Sequence, residues 1–439
     1  MGEWQRAEQH VDRALAMFER GRWAEAEAEL RKALEIDPQQ GDWHFNLGLI
    51  LDRSDRDAEA LACFEQASRL LPEAAEPRMS AGASCIRMGR FNDAIDWLEA
   101  SLILERDSEP TWAMLITAQT HDGDFDAAET SFYLAQDALA EQGSSVLLAM
   151  SECLELQELW DRAAWCAREA LRIDPDAPGG QLRLASVLVG MGDSQQAAQL
   201  LLRALRDDPG NIQALLLHAD VLTDAGRHGE ALLRLHRVLE LEPANVDAHV
   251  RAGELALDAG RFEEAFIAWG LVRRLDPSHR FATVRMAETL LGMDRPTLAS
   301  PLLHEHLDLW ESSMVPSERL RVSELLLQAG EHATVISLLE DHAPLRNNVE
   351  ALRLLAVAMF QSGRMDEGAV ISRRVLRTDN RCVASMQNLA IAAMAGERYR
   401  AAWGWMQRGL AVNPQDAQLR RLRSRLIWLA IGRRLKKWR

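Results

Sequence analysis

An arginine and a glutamate three residues apart recur in three successive segments of the chain, each time with aliphatic neighbours. The segments read Val250-Arg251-x-x-Glu254-x-x-Leu257, Val284-Arg285-x-x-Glu288-x-x-Leu291 and Leu320-Arg321-x-x-Glu324-x-x-Leu327, and a partial copy reads Leu182-Arg183-x-x-Ser186-x-x-Val189. Residues three apart share a helix face, so each Arg and Glu can form an ion pair. A guanidinium group on such a face can also hold a carboxylate or a carbonyl oxygen of a bound peptide.

The sequence leaves two interpretations of these segments open. In the first, the Arg/Glu pairs line a binding surface, and Leu257, Leu291 and Leu327 form an aliphatic strip that takes the apolar side chains of an extended or helical peptide. In the second, the pairs neutralise one another on a solvated face and were copied when the segment was duplicated. Exposed ion pairs contribute only ~0–1 kcal/mol each, so duplication alone could preserve them.

Residue patterns that support catalysis or metal binding are sparse. The chain contains no G-x-x-x-x-G-K-[ST], G-x-G-x-x-G or G-x-S-x-G motif. The densest histidine cluster is His304-Glu305-His306 with Asp308 nearby. On a helix, His304 and Asp308 lie on one face, whereas His306 points elsewhere. Because a metal ion needs three or four converging ligands, we predict a surface cluster there. We expect no metal, no cofactor and no catalytic residues, and therefore a protein that is not an enzyme.

Composition indicates a folded protein in a reducing compartment. Hydrophobic residues make up 48% and charged residues 26%, which is typical of a chain with a substantial core. The formal net charge of −16 argues against nucleic-acid binding, which needs basic surface. The five cysteines form no C-x-x-C pair, and the N-terminus has no apolar signal region. We expect a cytoplasmic protein, with peripheral membrane contact left open.

A period of 34 residues organises almost the whole chain. Pro175, Pro209, Pro243 and Pro277 follow one another at this interval, and glycines recur at a matching phase. The units begin near residues 7, 41, 75, 109, 144, 178, 212, 246, 280, 316, 349 and 383, with breaks in phase before 144 and near 316. Such a period is the signature of a helical repeat protein.

Each unit carries the same pattern of small and large residues. A small residue stands at position 8, an aromatic residue often follows the turn, and an alanine stands at position 20, as in Gly253, Phe262 and Ala265. The stretches Gly21–Pro38 and Gly260–Pro277 are the clearest examples. In this pattern the units resemble tetratricopeptide repeats (TPRs). The resemblance implies an all-α, right-handed α-solenoid of about twelve helix-turn-helix repeats, with the Arg/Glu segments in the groove that the first helices line. It also implies a non-catalytic scaffold or adaptor that binds a protein or peptide partner.

The match to the repeat pattern varies along the chain. Repeats 1–8 (residues 7–279) and repeats 11–12 (residues 349–416) match well, whereas repeats 9–10 (residues 280–348) are degenerate. There Asp294 and Pro296 replace the turn glycine and the aromatic residue, Pro301 falls inside a second helix, and Val335 replaces an alanine. Local repacking and a functional hinge are both compatible with these changes.

The last 23 residues form a basic amphipathic segment, 417–439. Its nine basic residues include Arg420, Arg421, Arg423, Arg425, Arg433, Arg434, Lys436 and Lys437, and it contains Trp428 and Trp438. Leu419, Leu422, Leu426 and Leu429 form one apolar stripe, and Ile427, Ile431, Leu435 and Trp438 form another. The first stripe predicts a helix that caps the last repeat. The second leaves open peripheral contact with an anionic membrane, assembly through an acidic partner, or self-association. These contacts are the alternative to groove binding as the main function.

Overall fold

The computed structural model describes residues 3–340 and 342–436, with the side chains of residues 4–340 and 342–428. The described residues contain α-helices, two single-turn 3-10 helices and no β-strand. The chain divides into two compact units, Met1–Arg234 (unit 1) and Leu235–Arg439 (unit 2). Within each unit, helices follow one another in pairs, which confirms the predicted all-α repeat fold.

The helices of unit 1 are α1 (Glu3–Phe18), α2 (Trp23–Ile36), α3 (Gly41–Asp52), α4 (Asp57–Leu70), α5 (Glu76–Arg87), α6 (Phe91–Leu102), α7 (Glu109–Asp122), α8 (Phe125–Ala138), α9 (Ser144–Leu156), α10 (Trp160–Ile173), α11 (Gly180–Gly190), α12 (Ser194–Asp207) and α13 (Ile212–Asp224). Helix α14 (His228–Leu241) contains the boundary between the units.

The helices of unit 2 are α15 (Val246–Asp258), α16 (Phe262–Leu275), α17 (Ala282–Gly292), α18 (Pro296–Trp310), α19 (Pro316–Ala329), α20 (His332–Glu340), α21 (Val349–Gln361), α22 (Met365–Thr378), α23 (Val383–Ala395), α24 (Tyr399–Val412) and α25 (Ala417–Lys436). The 3-10 turns Glu311–Ser313 and Ala343–Leu345 lie in the connections that precede α19 and α21. In unit 2, the first helices α17, α19, α21 and α23 each contact the next first helix in the series.

The two helices of a pair close over the small residue at position 8. A Cβ atom on Gly48 would lie 2.5 Å from the ring of Phe64, and one on Gly253 would lie 2.8 Å from Nε1 of Trp269. Both aromatic side chains come from the second helix of the same pair and are almost completely buried. The pattern of small and large residues in the sequence is therefore a steric fit between two helix surfaces.

Aromatic residues at the start of some second helices pack against the following pair. The ring of Trp160 covers Gly190, where a Cβ atom would lie 2.2 Å from the indole, and Phe262 covers Gly292 at 2.3 Å. These contacts tie neighbouring repeats together, so the stack depends on pairs of residues about 30 positions apart.

One residue with a left-handed backbone joins the two helices of every pair. It stands at position 15 of each unit and is glycine in eight of the twelve units. The remaining four positions are Asp55, Glu158, Asp294 and Glu397, with φ between 55° and 59°. After Glu158, the N–H of Leu159 donates to the carbonyl oxygen of Leu154 at 2.9 Å, which closes the end of α9 as in a Schellman motif.

The repeats predicted to be degenerate keep the helix-pair architecture. Asp294 stands where most repeats have glycine and still adopts the left-handed backbone conformation of the turn. Pro296 is the first residue of α18, and α18 continues through Pro301. Val335 is completely buried in α20, which has only nine residues. The phase break near residue 316 falls in the connection between α18 and α19. The division into well-matched and degenerate repeats stays a prediction.

Replacing Glu158 with glycine should stabilise the chain. A left-handed conformation costs an L-residue ~1–2 kcal/mol, and glycine loses only ~0.5–1 kcal/mol more chain entropy on folding. We expect Glu158→Gly to raise the free energy of unfolding by up to ~1 kcal/mol in urea titrations. The matched control, Gly192→Ala at φ 81° in the next turn, should lower it by a similar amount. Equal destabilisation by both variants would contradict the account of this turn.

Candidate functional site

The repeated Arg/Glu segments lie on the first helices α15, α17 and α19, where the structure brings their charged side chains together. We call this set the Arg/Glu ladder: Arg251, Glu254, Arg285, Glu288, Arg321 and Glu324. Arg285 donates to Glu254 on the preceding first helix (Nη2–Oε1 3.4 Å) and to Glu288 on its own helix (Nη1–Oε2 3.1 Å). Arg321 repeats the arrangement, donating to Glu288 and to Glu324 (Nη1–Oε2 2.7 Å).

The ladder is balanced in charge, and its carboxylates occupy the guanidinium groups from within the chain. Glu288 receives one bond from each of two arginines, and its side chain is only 17% exposed. Burial alone would lower the pKa of the Arg321 guanidinium, but the carboxylates of Glu288 and Glu324 raise it above its ordinary value. This face therefore presents alternating charges, and those of Arg285, Arg321 and their glutamates are already paired within the chain. At the start of the ladder, Arg251 Nη1 donates to the carbonyl oxygen of Asp247 at 3.4 Å.

The aliphatic strip differs from the expectation. Leu257, Leu291 and Leu327 are half-buried and pack against the cores of their own helix pairs. They close the interior and present only part of their surface to solvent. More exposed apolar side chains, Phe281 and Val315, stand at the starts of α17 and α19.

A pocket of about 600 Å³ opens between α15, α17 and α19, with the ladder along one wall. Its exposed apolar residues are Phe281 (48% exposed) and Val315 (55% exposed). Val250 and Val284 line it as well. Phe281 and Val315 are the N-cap residues of α17 and α19, so both side chains stand at helix starts. A pocket of this size lined by apolar and paired polar groups is typical of a ligand-binding site.

The sequence reasoning missed both exposed residues. Phe281 occupies position 2 of its repeat, one of the groove positions that the TPR resemblance implies. Val315 lies in the residues added at the phase break and has no repeat position. The resemblance therefore could have identified Phe281, whereas Val315 required the structure.

An ion pair between half-buried Arg280 and buried Glu318 lies on the α19 side of the pocket. Glu318 accepts from Nε and Nη2 of Arg280 at 3.0 and 2.6 Å, and Arg280 also lies over the ring of Trp310. His306, completely buried on α18, places Nε2 3.2 Å from Oε1 of Glu318. Burial would raise the pKa of the Glu318 carboxyl, but hydrogen bonds and charge from Arg280 and His306 hold it below its usual value.

The partial copy of the ladder lies in unit 1 and uses different partners. Arg183 on α11 pairs with Glu152 and Glu155 of the preceding first helix, at 2.9 Å in both cases. Ser186 donates to the same Glu155. Like Arg285 and Arg321, Arg183 pairs with the preceding first helix, but the serine three residues later supplies no carboxylate for a pair within its own helix.

The histidine cluster does not form a metal site, and one of its members is not on the surface. His304 lies 3.7 Å from Glu331, Glu305 pairs with Arg273, and His306 is part of the core. The prediction of a surface cluster is therefore wrong for His306, because the face of α18 that carries it packs against α19. Among the residues that the structure describes, no group of three His, Cys, Asp or Glu could hold a metal ion. All five cysteines are free, and burial raises the thiol pKa of Cys63 and Cys166 to about 11.

The basic segment forms α25, which packs on α24. Leu419 and Leu426 are buried in the core of the last pair, whereas Ile427 is 44% and Trp428 74% exposed. Arg420 donates to the carbonyl oxygen of Pro414 at 2.9 Å. The helix backbone is described through Arg433, Arg434 and Lys436, but the side chains of these residues are not. Lys437 and Trp438 lie outside the described residues. None of the described helices combines the length and apolar character needed to cross a bilayer.

Comparison with known proteins agrees with the repeat architecture. The family model described as tetratricopeptide repeat matches residues 182–234 and 216–279, and a second, described as TPR repeat, matches residues 14–55. No curated protein sequence matches the chain. Helix pairs stacked in this way define a class of protein-interaction scaffolds. Residues 14–55 and 182–279 match the tetratricopeptide repeat family, and the described residues contain twelve helix pairs.

Solved structures of low sequence identity resemble the chain. A tetratricopeptide repeat protein from Parabacteroides merdae shares 14% identity and a TM-score of 0.42, covering 65% of this chain and 99% of that one. Yeast Tom70 shares 14% identity and a TM-score of 0.38, covering 98% and 96%. A chain of the APC/C hetero-tetramer Cut9-Hcn1 shares 13% identity and a TM-score of 0.41, covering 96% of each chain. Likenesses with TM-scores this low carry no information about a partner.

Acidification should destabilise unit 2 through His306. The imidazole is completely buried, and burial lowers its pKa below 6.5 despite the opposing effect of the Glu318 carboxylate. The unfolded chain therefore binds the proton more readily, so stability is fully present above pH 6.5 and falls as pH drops toward the folded-state pKa. We expect His306→Gln to remove up to ~1.4 kcal/mol per pH unit of this dependence. Urea titrations between pH 7 and pH 5 measure it, and identical pH profiles for the two proteins would contradict it.

Proposed function

We propose that this chain is a non-catalytic scaffold or adaptor that binds a protein partner in the pocket beside the Arg/Glu ladder. The observation that carries the proposal is the exposure of Phe281 and Val315 on a pocket of about 600 Å³. A partner segment, extended or helical, would insert an apolar side chain there and align its polar side chains with the ladder. We propose a cytoplasmic location for this interaction and expect no nucleic acid.

The energetics favour the pocket as the source of affinity and the ladder as the source of orientation. Burying one Val, Leu, Ile or Phe side chain contributes ~1.5–3 kcal/mol, which corresponds to a tenfold or larger change in affinity. Ion pairs as exposed as those of the ladder contribute ~0–1 kcal/mol each, yet they penalise a segment that meets them with like charges. Repetition of one charge pattern on three helices would select one direction of the bound segment.

Asp substitutions in the pocket should abolish partner capture without unfolding the chain. Val315 is an extended N-cap residue, where aspartate is favourable, and Phe281 is half-exposed at the start of α17, so Phe281→Asp/Val315→Asp should keep its helices. We expect capture from native lysate, quantified by mass spectrometry, to fall about tenfold or more. The matched control is Ile267→Asp/Leu298→Asp, two exposed residues of α16 and α18 that do not line the pocket. Equal capture by all three proteins would remove the pocket proposal.

A second arm of that experiment separates the two interpretations of the ladder. The six-fold exchange of its arginines and glutamates keeps every internal pair but inverts each charge. If the partner contacts the charged side chains of the ladder, this variant no longer captures it, while circular dichroism shows an unchanged helix content. Undiminished capture would show that the pairs only neutralise one another.

A second candidate function is organisation of an assembly through α25. The observation behind it is that Trp428 is 74% exposed beside a series of arginines, on the helix face away from the buried leucines. Removing residues 417–439 is a poor test, because Leu419 and Leu426 cover the last pair. Arg421→Glu/Arg425→Glu changes only exposed side chains. If the wild type cosediments with phosphatidylserine vesicles and this variant does not, the target of α25 is a lipid surface. If the wild type does not cosediment with them, the target is a protein surface.

A further inference from the structure

Charge is distributed unequally between the two units. Unit 1 contains 42 Asp and Glu against 21 Lys and Arg, a net charge of −21, whereas unit 2 contains 24 against 29, a net charge of +5. Residues 107–161 include 12 acidic residues and no Lys or Arg. At the other end of the sequence, no acidic residue follows Asp416. The chain therefore carries one strongly acidic and one strongly basic segment.

The basic segment exposes an amphipathic face. Arg421, Arg425 and Trp428 stand at i, i+4 and i+7 of α25, and so lie on one side of the helix. All three are exposed, and Ile427 beside them is 44% exposed. Among the described side chains, no carboxylate forms an ion pair with either arginine. A cationic face with an uncovered indole is suited to an acidic surface that contains an apolar pocket.

Unit 1 contains a surface of that kind at the ends of α6 and α8. Ile103 (84% exposed) and Leu134 (45% exposed) line a pocket of about 410 Å³, and Leu104, next to Ile103 in the chain, is 42% exposed. We call these residues, with Glu99 in the pocket wall and Asp137 nearby, the α6–α8 patch. Single exposed aliphatic residues are common, but two of them lining one pocket, with a third next to Ile103 in the chain, favour a binding partner.

Several carboxylates accompany the α6–α8 patch: Glu99 lines its pocket, Glu105 and Asp107 flank Arg106 in the sequence, and Asp137 lies beside Arg106. Glu99, Glu105 and Asp107 are exposed, and the side chain of Asp137 is 80% exposed. The cation in the pocket wall, Arg106, lies 3.6 Å from Asp137 and neutralises that one carboxylate. The patch therefore keeps a negative potential around an apolar centre, opposite in sign to the exposed face of α25.

We propose that α25 of one molecule docks on the α6–α8 patch of a second copy, with Trp428 in the pocket and Arg421 and Arg425 against the carboxylates of the patch. The proposal rests on the assembly-organising role of α25 and names its partner. The contact joins two unlike surfaces, so it is heterologous: repeated from molecule to molecule, it builds a chain or closes a ring. A lipid surface would satisfy α25 but leave the patch uncovered, whereas a second copy covers both.

Sedimentation velocity of the full-length protein tests the proposal. We expect association in about 0.1 M salt that dissociates in about 1 M salt, because the Debye length falls from about 10 Å to about 3 Å. Arg421→Glu/Arg425→Glu and, separately, Ile103→Asp/Leu134→Asp should each weaken association about tenfold or more. Leu202→Asp, at an exposed aliphatic residue of α12 in the same unit, is the matched control and should associate like the wild type.

Mixing the two surface variants tests the polarity of the contact. One variant retains a working α6–α8 patch and the other a working α25, so the mixture should form a one-to-one complex and nothing larger, although each variant alone is monomeric. A wild-type chain that is monomeric at low salt would overturn the proposal, including one that binds anionic vesicles. Association that survives the patch substitutions, or a mixture that stays monomeric, would also overturn it. None of these outcomes affects the pocket in unit 2, whose capture experiment is independent.

Discussion

The close approach of two helices at position 8 is the contact on which the repeats depend. A side chain on Gly48 would overlap the ring of Phe64, and one on Gly253 would overlap the indole of Trp269. Because these positions carry no side chain, the large residue of the second helix reaches the backbone of the first and is buried almost completely. The residue with a left-handed backbone at position 15 forms the turn between the two helices, so that the second helix can pack against the first in every pair.

The candidate site is a consequence of that stacking within unit 2. Close pairs allow one first helix to contact the next, so a side chain on α17 can reach α15, and one on α19 can reach α17. The ladder uses this spacing: Arg285 and Arg321 each bridge two helices while pairing within their own. Their exposure limits what these bonds contribute to stability, so their effect is mainly to fix the order of charges along the face. The added residues between α18 and α19 place Val315 at the end of that face.

The sequence predicted the features that repeat, and it failed where the structure depends on a single contact. The 34-residue period predicts the helix pairs, the turns and the adjacency of the ladder residues. Each of these features depends only on residue spacing within a repeat, and that spacing recurs from one repeat to the next. It does not show that His306 faces α19, that Leu257 is needed to cover a core, or that Arg183 pairs with the preceding helix pair. It also gives no position to Val315, since that residue lies where the period is interrupted. Burial and pairing at these sites depend on which neighbouring helix is reached, and this is set by three-dimensional packing.

Site-specific photo-crosslinking would test the central claim, that a partner occupies the pocket between α15, α17 and α19. A photoreactive phenylalanine analogue would replace Val315 in one protein and Ile267, on α16, in another, and crosslinked adducts would be identified by mass spectrometry after irradiation of native lysate. Both residues are exposed, but only Val315 lines the pocket. The account predicts a defined adduct from position 315 and none of the same protein from position 267. Adducts of equal yield from both positions, or none from position 315 while the chain still captures its partner, would contradict it.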